Sequence, residues 1–285
     1  SRGLGDVYKR QLLDELGYQF NIIDEDEDFR KYKIVILPDN ILCSDFLADK
    51  IDNYIADGGR LIASYRSGLN YSETEFAIKR LGISLVGDAP YSPDFLVPTS
   101  EYGKRLFKTE YVMYNQGKEI KINDAKEVVK AYIPYFNRTW EHFCSHLHTP
   151  SSHKYGYPGI TECKGNYYFM HPIFSIYQEK HPKWCKEFLR DVLETLIPQP
   201  LIKHNGPSTM TVTVNEQKEK GRYIIHILHY IPNKIADEIL TIEDVIPLYN
   251  IKLSVCLPHA VNGVTLVPDK EQLDYEIFQN NEISF

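Results

Sequence analysis

The chain has 285 residues, 43% of them hydrophobic and 25% charged, with a net charge of −7. That length is enough for one large or two ordinary domains with a substantial core. The acidic balance, the absence of a Lys/Arg run and the lack of any apolar stretch of membrane-spanning length argue against nucleic-acid and membrane partners.

The first residues, Ser1–Gln11, read as a translated adapter without an initiator Met, so the natural chain is expected to begin near Leu12, in mid-helix. Leu12–Gly17 reads as the tail of a helix closed by glycine, and Tyr18–Ile23 alternates as a strand. Tyr32–Pro38 is a short β-branched run ending in proline, the pattern of a buried parallel strand. Ser44 is placed to cap a helix carrying Phe46, Leu47, Ile51, Tyr54 and Ile55 at helical spacing. Gly58-Gly59 ends that helix and Arg60–Ser64 follows as a strand, which together make a parallel βαβ unit. A further helix is expected over Ser72–Leu81 and a strand over Ile83–Val86.

Prolines 90, 93 and 98 then mark a long connection, followed by strands near 110–114, 119–122 and 127–133. Tyr167–Met170 reads as a strand and Trp184–Leu196 as an amphipathic helix, which Pro198 and Pro200 stop. Beyond them come strands at Thr209–Val214, Tyr223–Tyr230, Lys252–Leu257, Val264–Val267 and Tyr275–Phe278, with turns between and no strong helix, the pattern of a small antiparallel β-sandwich. Apolar and polar residues share both registers of 223–230, so that strand is expected to be central and covered on both faces. Glu282–Phe285 also reads as strand, and a chain ending there is expected to be a fragment.

Chemistry concentrates in Ala131–Pro150, a structured loop bracketed by Pro134 and Pro150. It gathers Arg138, Trp140, Glu141, His142, Cys144, Ser145, His146 and His148. An aromatic face with charged neighbours suits a pyranose ring and its hydroxyls. The plainer alternative is a packed loop whose histidines bond to backbone carbonyls. His142 and His146 stand four apart, but no H-E-x-x-H accompanies them, so a metal site is not expected, nor any other cofactor. Glycoside hydrolysis needs two opposed carboxyls, and Glu141 has no evident second. His171 follows the 167–170 strand and could approach the same loop, or sit at the edge of the core. At the end of the 60–64 strand stand Tyr65-Arg66-Ser67-Gly68, where Arg66 could bind a carboxylate or a neighbouring domain and Ser67 suits a turn. No glycine-rich phosphate loop or G-x-S-x-G motif is present. The five cysteines (Cys43, Cys144, Cys163, Cys185, Cys256) are scattered without a Cys-x-x-Cys, which fits reduced thiols and favours the cytoplasm.

Tyr32–Pro38 through Asp57–Ser64 resembles the β-galactosidase trimerisation domain of glycoside hydrolase family 42. Pro134–Pro150, Tyr168–Phe174, Ile225–Pro232 and Ile242–Tyr249 resemble a group of bacterial β-galactosidase- or α-fucosidase-like proteins. The likeness covers about residues 12–285. It implies a flavodoxin- or class I amidotransferase-like doubly wound α/β domain over 12–204, then a small antiparallel β-sandwich over 205–285. Both would lie downstream of a catalytic (β/α)8 barrel that carries the acid and the nucleophile, so no catalytic residue maps here. Partners implied are that barrel, a carbohydrate and further copies of the chain, trimerisation being known for family 42. Two readings compete with this non-catalytic one. An amidotransferase-like hydrolase would need a reactive cysteine, for which Cys144 is misplaced, and a freestanding carbohydrate-binding module would bind glycans without any barrel.

Overall fold

The computed structural model describes residues 10–233, 239–278 and 281–285. Of the adapter-like stretch, residues 1–9 lie outside the described residues. Contacts divide the chain into two compact units, one over Ile23–Leu196 and one that joins Arg10–Ile22 to Ile197–Phe285. Arg10–Ile22, with the short helix α1 (Gln11–Glu15), therefore belongs with the C-terminal residues, whereas the division after residue 204 places Leu12–Ile22 with the α/β part.

The first unit opens with β1 (Ile34–Leu37), α2 (Asp45–Ala56) and β2 (Arg60–Ser64). Ser44 caps α2 by accepting a hydrogen bond from Leu47 N at 3.1 Å, as its place before the apolar stripe predicts. Leu47, Ile51, Tyr54 and Ile55 form its buried face, each aliphatic contributing about 1.5–3 kcal/mol. The chain then turns back so closely that a Cβ at Gly59 would lie 2.2 Å from the Tyr54 ring, so only glycine fits. β1 and β2 pair in parallel, as expected of a βαβ unit.

Next come β3 (Ile83–Asp88), β4 (Asp94–Val97), β5 (Tyr111–Met113), β6 (Lys118–Ile122), β7 (Lys126–Pro134), β8 (Ser151–Cys163) and β9 (Asn166–Phe169). The unit ends with α3 (Ile173–Lys180) and α4 (Lys183–Leu196). Seven strands form one mixed sheet in the order β1-β2-β9-β8-β7-β4-β5, while β3 and β6 pair separately. β9 continues the parallel half beside β2, and the strands from β8 to β5 are antiparallel.

No helix forms over Ser72–Leu81 beyond a 3₁₀ turn at Lys79–Leu81. Asn70 Oδ1 takes Thr74 N at 3.0 Å and Glu73 adopts φ 53, so side-chain turn chemistry wins over helical periodicity. β4, β8 and α3 are further elements that the sequence reading leaves as connection. In β8 the punctuators Gly156, Pro158 and Gly159 coincide with register shifts against β7 that bend the strand without ending it.

The second unit has β10 (Ile202–His204), β11 (Met210–Gln217), β12 (Arg222–His229), β13 (Leu253–Cys256), β14 (Val264–Leu266), β15 (Glu271–Leu273), β16 (Glu276–Ile277) and β17 (Glu282–Ser284). They make a four-stranded antiparallel sheet, β10-β13-β17-β16, and the ribbons β11–β12 and β14–β15. One core draws on both sheet and ribbon, with Met210 and Val212 of β11 against Leu253 and Val255 of β13 and Ile283 of β17. Tyr18–Ile22 is not a strand here. Gln19 instead uses its side-chain amide to reach Val212 O and Val214 N, at 2.8 and 3.0 Å. β12 also departs from expectation: among the described residues it pairs with β11 alone, and Leu228 is 56% exposed. Its mixed registers reflect an outer face left in water rather than cover on both sides.

Candidate functional site

The carboxyl ends of β1, β2 and β9 are where an α/β sheet of this kind presents a ligand crevice. Here the chain fills that place itself. Asp39, just past β1 and fully buried, accepts from Ser64 Oγ at 2.7 Å and from Ser175 N and Oγ at 2.6 and 2.7 Å. Its carboxylate thus caps the first turn of α3 from a distant part of the sequence. Past β2, Tyr65 takes the left-handed φ of 55 and its carbonyl accepts from Tyr168 OH. Ser67 Oγ accepts from Ile41 N at 3.0 Å, the turn role its position suggests. Arg66 has an internal partner, a two-pronged ion pair with Glu73, and Lys118 bonds Asp88 beside it at 2.6 Å.

His171 is also buried, with Nε2 2.6 Å from Asp94 Oδ1, while Tyr157 OH donates to Asp94 Oδ2 at 2.8 Å. Burial, then the Asp94 charge, pushes the Tyr157 phenol far above its usual range, so it stays a donor. This Tyr–Asp–His chain joins β8, β4 and the end of β9 inside the core. It places His171 away from solvent rather than on an open face.

The β7–β8 loop is the opposite case. Tyr135 N bonds Pro150 O across its base, and Asn137 ties it to the 90–92 segment through Ser92 N and Pro90 O. Arg138 Nη1 reaches across to Leu147 O at 3.2 Å, and the Cys144 thiol faces the carbonyls of His146 and His148. His142 N bonds Thr139 Oγ1 while its ring stacks on Phe136 at 3.6 Å between centroids. His148 forms the foot, its ring 5.3 Å from that of Tyr114. Burial, with Lys180 and Arg138 adding repulsion, holds its imidazole below the usual range, so it is neutral at pH 7.

The loop is thus wired by its own backbone, while Arg138, Glu141, His142, Ser145 and His146 face solvent. Trp140 is 85% exposed, and Tyr135, Phe143 and Leu147 are exposed beside it. His171 and Arg66 are held by internal partners in other parts of the unit, so no hydrogen bond joins them to the loop. Among the described residues no cluster of His, Cys, Asp or Glu is arranged to hold a metal ion. Asp39, Asp94 and Tyr157 escape sequence reading because their partners are 136, 77 and 63 residues away, with no local spacing to reveal them.

The thiols bear on the amidotransferase reading. Burial pushes Cys43 up to about 11 and raises Cys163 and Cys185 as well. At pH 8, Cys43 is therefore about one part in a thousand thiolate. Native chain treated with a chromogenic disulfide should label at Cys144 and Cys256, the two half-buried thiols, with the other three reacting only on unfolding. Fast labelling of Cys43 at neutral pH would reveal an activated nucleophile and revive that reading.

A mixed α/β unit whose crevice is closed by its own side chains, with a separate antiparallel unit, is the architecture the chain presents. Residues 7–79 match the model of the β-galactosidase trimerisation domain. The chain carries a trimerisation-domain-like region of the kind found in glycoside hydrolases of the family-42 type. It is similar to an α-L-fucosidase isoenzyme 2 from Paenibacillus thiaminolyticus, at 33% identity and TM-score 0.92, over 98% of this chain and 42% of that one. The folds of two β-galactosidases are also similar. That from Bacillus circulans sp. alkalophilus has 15% identity and TM-score 0.61, over 97% of this chain and 36% of that one. That from Rahnella sp. R3 has 15% identity and TM-score 0.59, over 88% and 32%. The chain therefore spans less than half the length of each of these proteins. No curated protein matches it.

Proposed function

We propose that this chain is the non-catalytic part of a multidomain glycoside hydrolase. Its α/β unit supports a homo-oligomer, a trimer in the first instance, and its β7–β8 loop walls the sugar pocket of a (β/α)8 barrel in the same polypeptide. The observation that carries this is the similarity along 98% of the chain to a fucosidase more than twice as long. The filled crevice at β1, β2 and β9 supports it too, since a unit with its own chemistry would keep that place open. In the same reading the first unit is a flavodoxin-like doubly wound domain reduced to three parallel strands. The second is a small β-sandwich in which the β11–β12 ribbon lies over the four-stranded sheet.

Light scattering across a dilution series tests the assembly role. The full chain is expected to run as a trimer that dissociates on dilution. A monomer at every concentration, with a polypeptide that includes the barrel also monomeric, would remove assembly from the proposal.

A further inference from the structure

We propose that the open edge of β12 pairs with the same strand of a second copy, as a two-fold antiparallel ladder centred on His226. The contact belongs to the second unit and so goes beyond the assembly assigned to the α/β unit above.

An edge strand presents a row of backbone donors and acceptors, which folds commonly guard with lysine, inward charges, proline or a bulge. β12 has no such guard. Its eight residues pair with β11 in unbroken register, and Tyr223–His229 contains no lysine, acidic residue or proline. Among the described residues, no backbone group of another strand or loop bonds to its far edge.

The side chains at this edge are also half used. Ile225 packs on the core of the unit, on the same side of the ribbon as Val214. Ile227 lies on that side too, directly across from buried Val212, yet it is 48% exposed. Cover on the core side therefore runs out in the middle of β12. On the other side Leu228 stands exposed.

The order of the side chains names the partner. Outward from His226, the strand has Ile225 and Ile227, then Ile224 and Leu228, so its aliphatics are symmetric about that residue. In a ladder centred there, Ile225 of one copy faces Ile227 of the other on the core side. On the outer side Ile224 faces Leu228, with the two His226 residues between these pairs. A two-fold ladder has a residue at its centre, so the nearest alternatives centre on Ile225 or Ile227. The first sets His226 against Ile224 and Arg222 against Leu228; the second sets His226 against Leu228 and His229 against Ile225. Only the His226 centre gives every aliphatic an aliphatic partner.

The charges are compatible with self-pairing. Arg222 bonds Gln217 Oε1 at 2.7 Å and sits at the start of the strand. Antiparallel pairing holds the two arginines about 27 Å apart, beyond a Debye length. The area sets the strength. A single ladder of this length falls well short of the roughly 800 Å² per partner of a stable interface, so the pairing is weak. A Kd on the order of 100 μM is expected.

Sedimentation equilibrium of the full chain, carried to about 1 mM, should show the mass doubling at the top of the range. The doubling runs from trimer to hexamer where the α/β unit trimerises and from monomer to dimer where it does not, so the two proposals fail separately. His226→Lys and His226→Glu, at an exposed position, each bring like charges together at the centre. Each variant alone should lose the doubling, with the melting temperature within a degree or two of the parent. An equimolar mixture of the two should regain it, because lysine then faces glutamate. Such rescue requires a strand that meets its own copy at residue 226. A parent that never doubles, doubling that survives either substitution, or a mixture that stays at the lower mass overturns the proposal.

Discussion

In a polypeptide that joins this chain to the proposed barrel, Trp140→Ala and His146→Ala are each expected to lower kcat/KM by roughly 10–1000-fold, or about 1.4–4 kcal/mol of transition-state binding. The size follows from where the side chains stand. Trp140 is 85% exposed and packs nothing within its own unit, so its truncation opens no cavity in the chain. His146 contributes only its carbonyl to the internal wiring of the loop, through the Cys144 thiol, and that carbonyl survives substitution by alanine. Both variants should therefore melt within a degree or two of the parent. His142→Ala is the useful contrast, because its ring stacks on Phe136 and its loss should loosen the loop as well. Variants of Trp140 and His146 with normal kinetics and a much lower melting temperature would make the loop a structural element and end its role at the pocket.

Asp39→Ala should be the most damaging single substitution for the fold, at about 3–5 kcal/mol. The carboxylate answers Ser64 Oγ, Ser175 N and Ser175 Oγ at once, all within 2.7 Å, in a place fully removed from water. Removing it leaves those donors buried without an acceptor and uncaps α3. Asp39→Asn keeps the shape and one acceptor oxygen, but turns a donor toward the same donors, and should lose an intermediate amount. The measurement is clean for a reason visible in the sequence. The chain has two tryptophans, Trp140 and Trp184, and both lie in the first unit, so fluorescence in a urea titration reports that unit alone. A loss below about 1 kcal/mol for the alanine variant would show that water or a neighbouring backbone group replaces the carboxylate.

How far the sequence speaks for this structure depends on the range of the interactions. Where the signal is local, reading succeeds: Ser44 caps α2, the β-branched run becomes β1, and the stripe from Trp184 becomes α4. Where a distant partner decides, it fails. Gly156, Pro158 and Gly159 look like breakers until β8 itself is seen to bulge there against β7 within a strand of 13 residues. Gln19 lies in what reads as a strand, yet side-chain bonds to β11 replace the ladder. Ser72–Leu81 has helical spacing, but Asn70 and the Arg66–Glu73 pair fix a turn first. The site divides in the same way. A dense run such as 138–148 is conspicuous in one dimension, whereas Asp94 and His171 stand 77 residues apart and meet only in the folded core.

That dependence on distant partners has a consequence for how the chain comes to be. β2 receives its second neighbour, β9, only when residues 166–169 have been made, and Leu61 N meanwhile waits for Asn166 Oδ1. Through the synthesis of a hundred intervening residues, the strand that ends fully buried has one open edge. An open edge of Leu61, Ile62 and Ala63 is the kind of surface that recruits other chains. The stretch that carries the family signature, residues 7–79, is therefore recognisable without being autonomous. Cut out alone it would be an adhesive fragment, and in the cell it is the part of the nascent chain with most to gain from a chaperone.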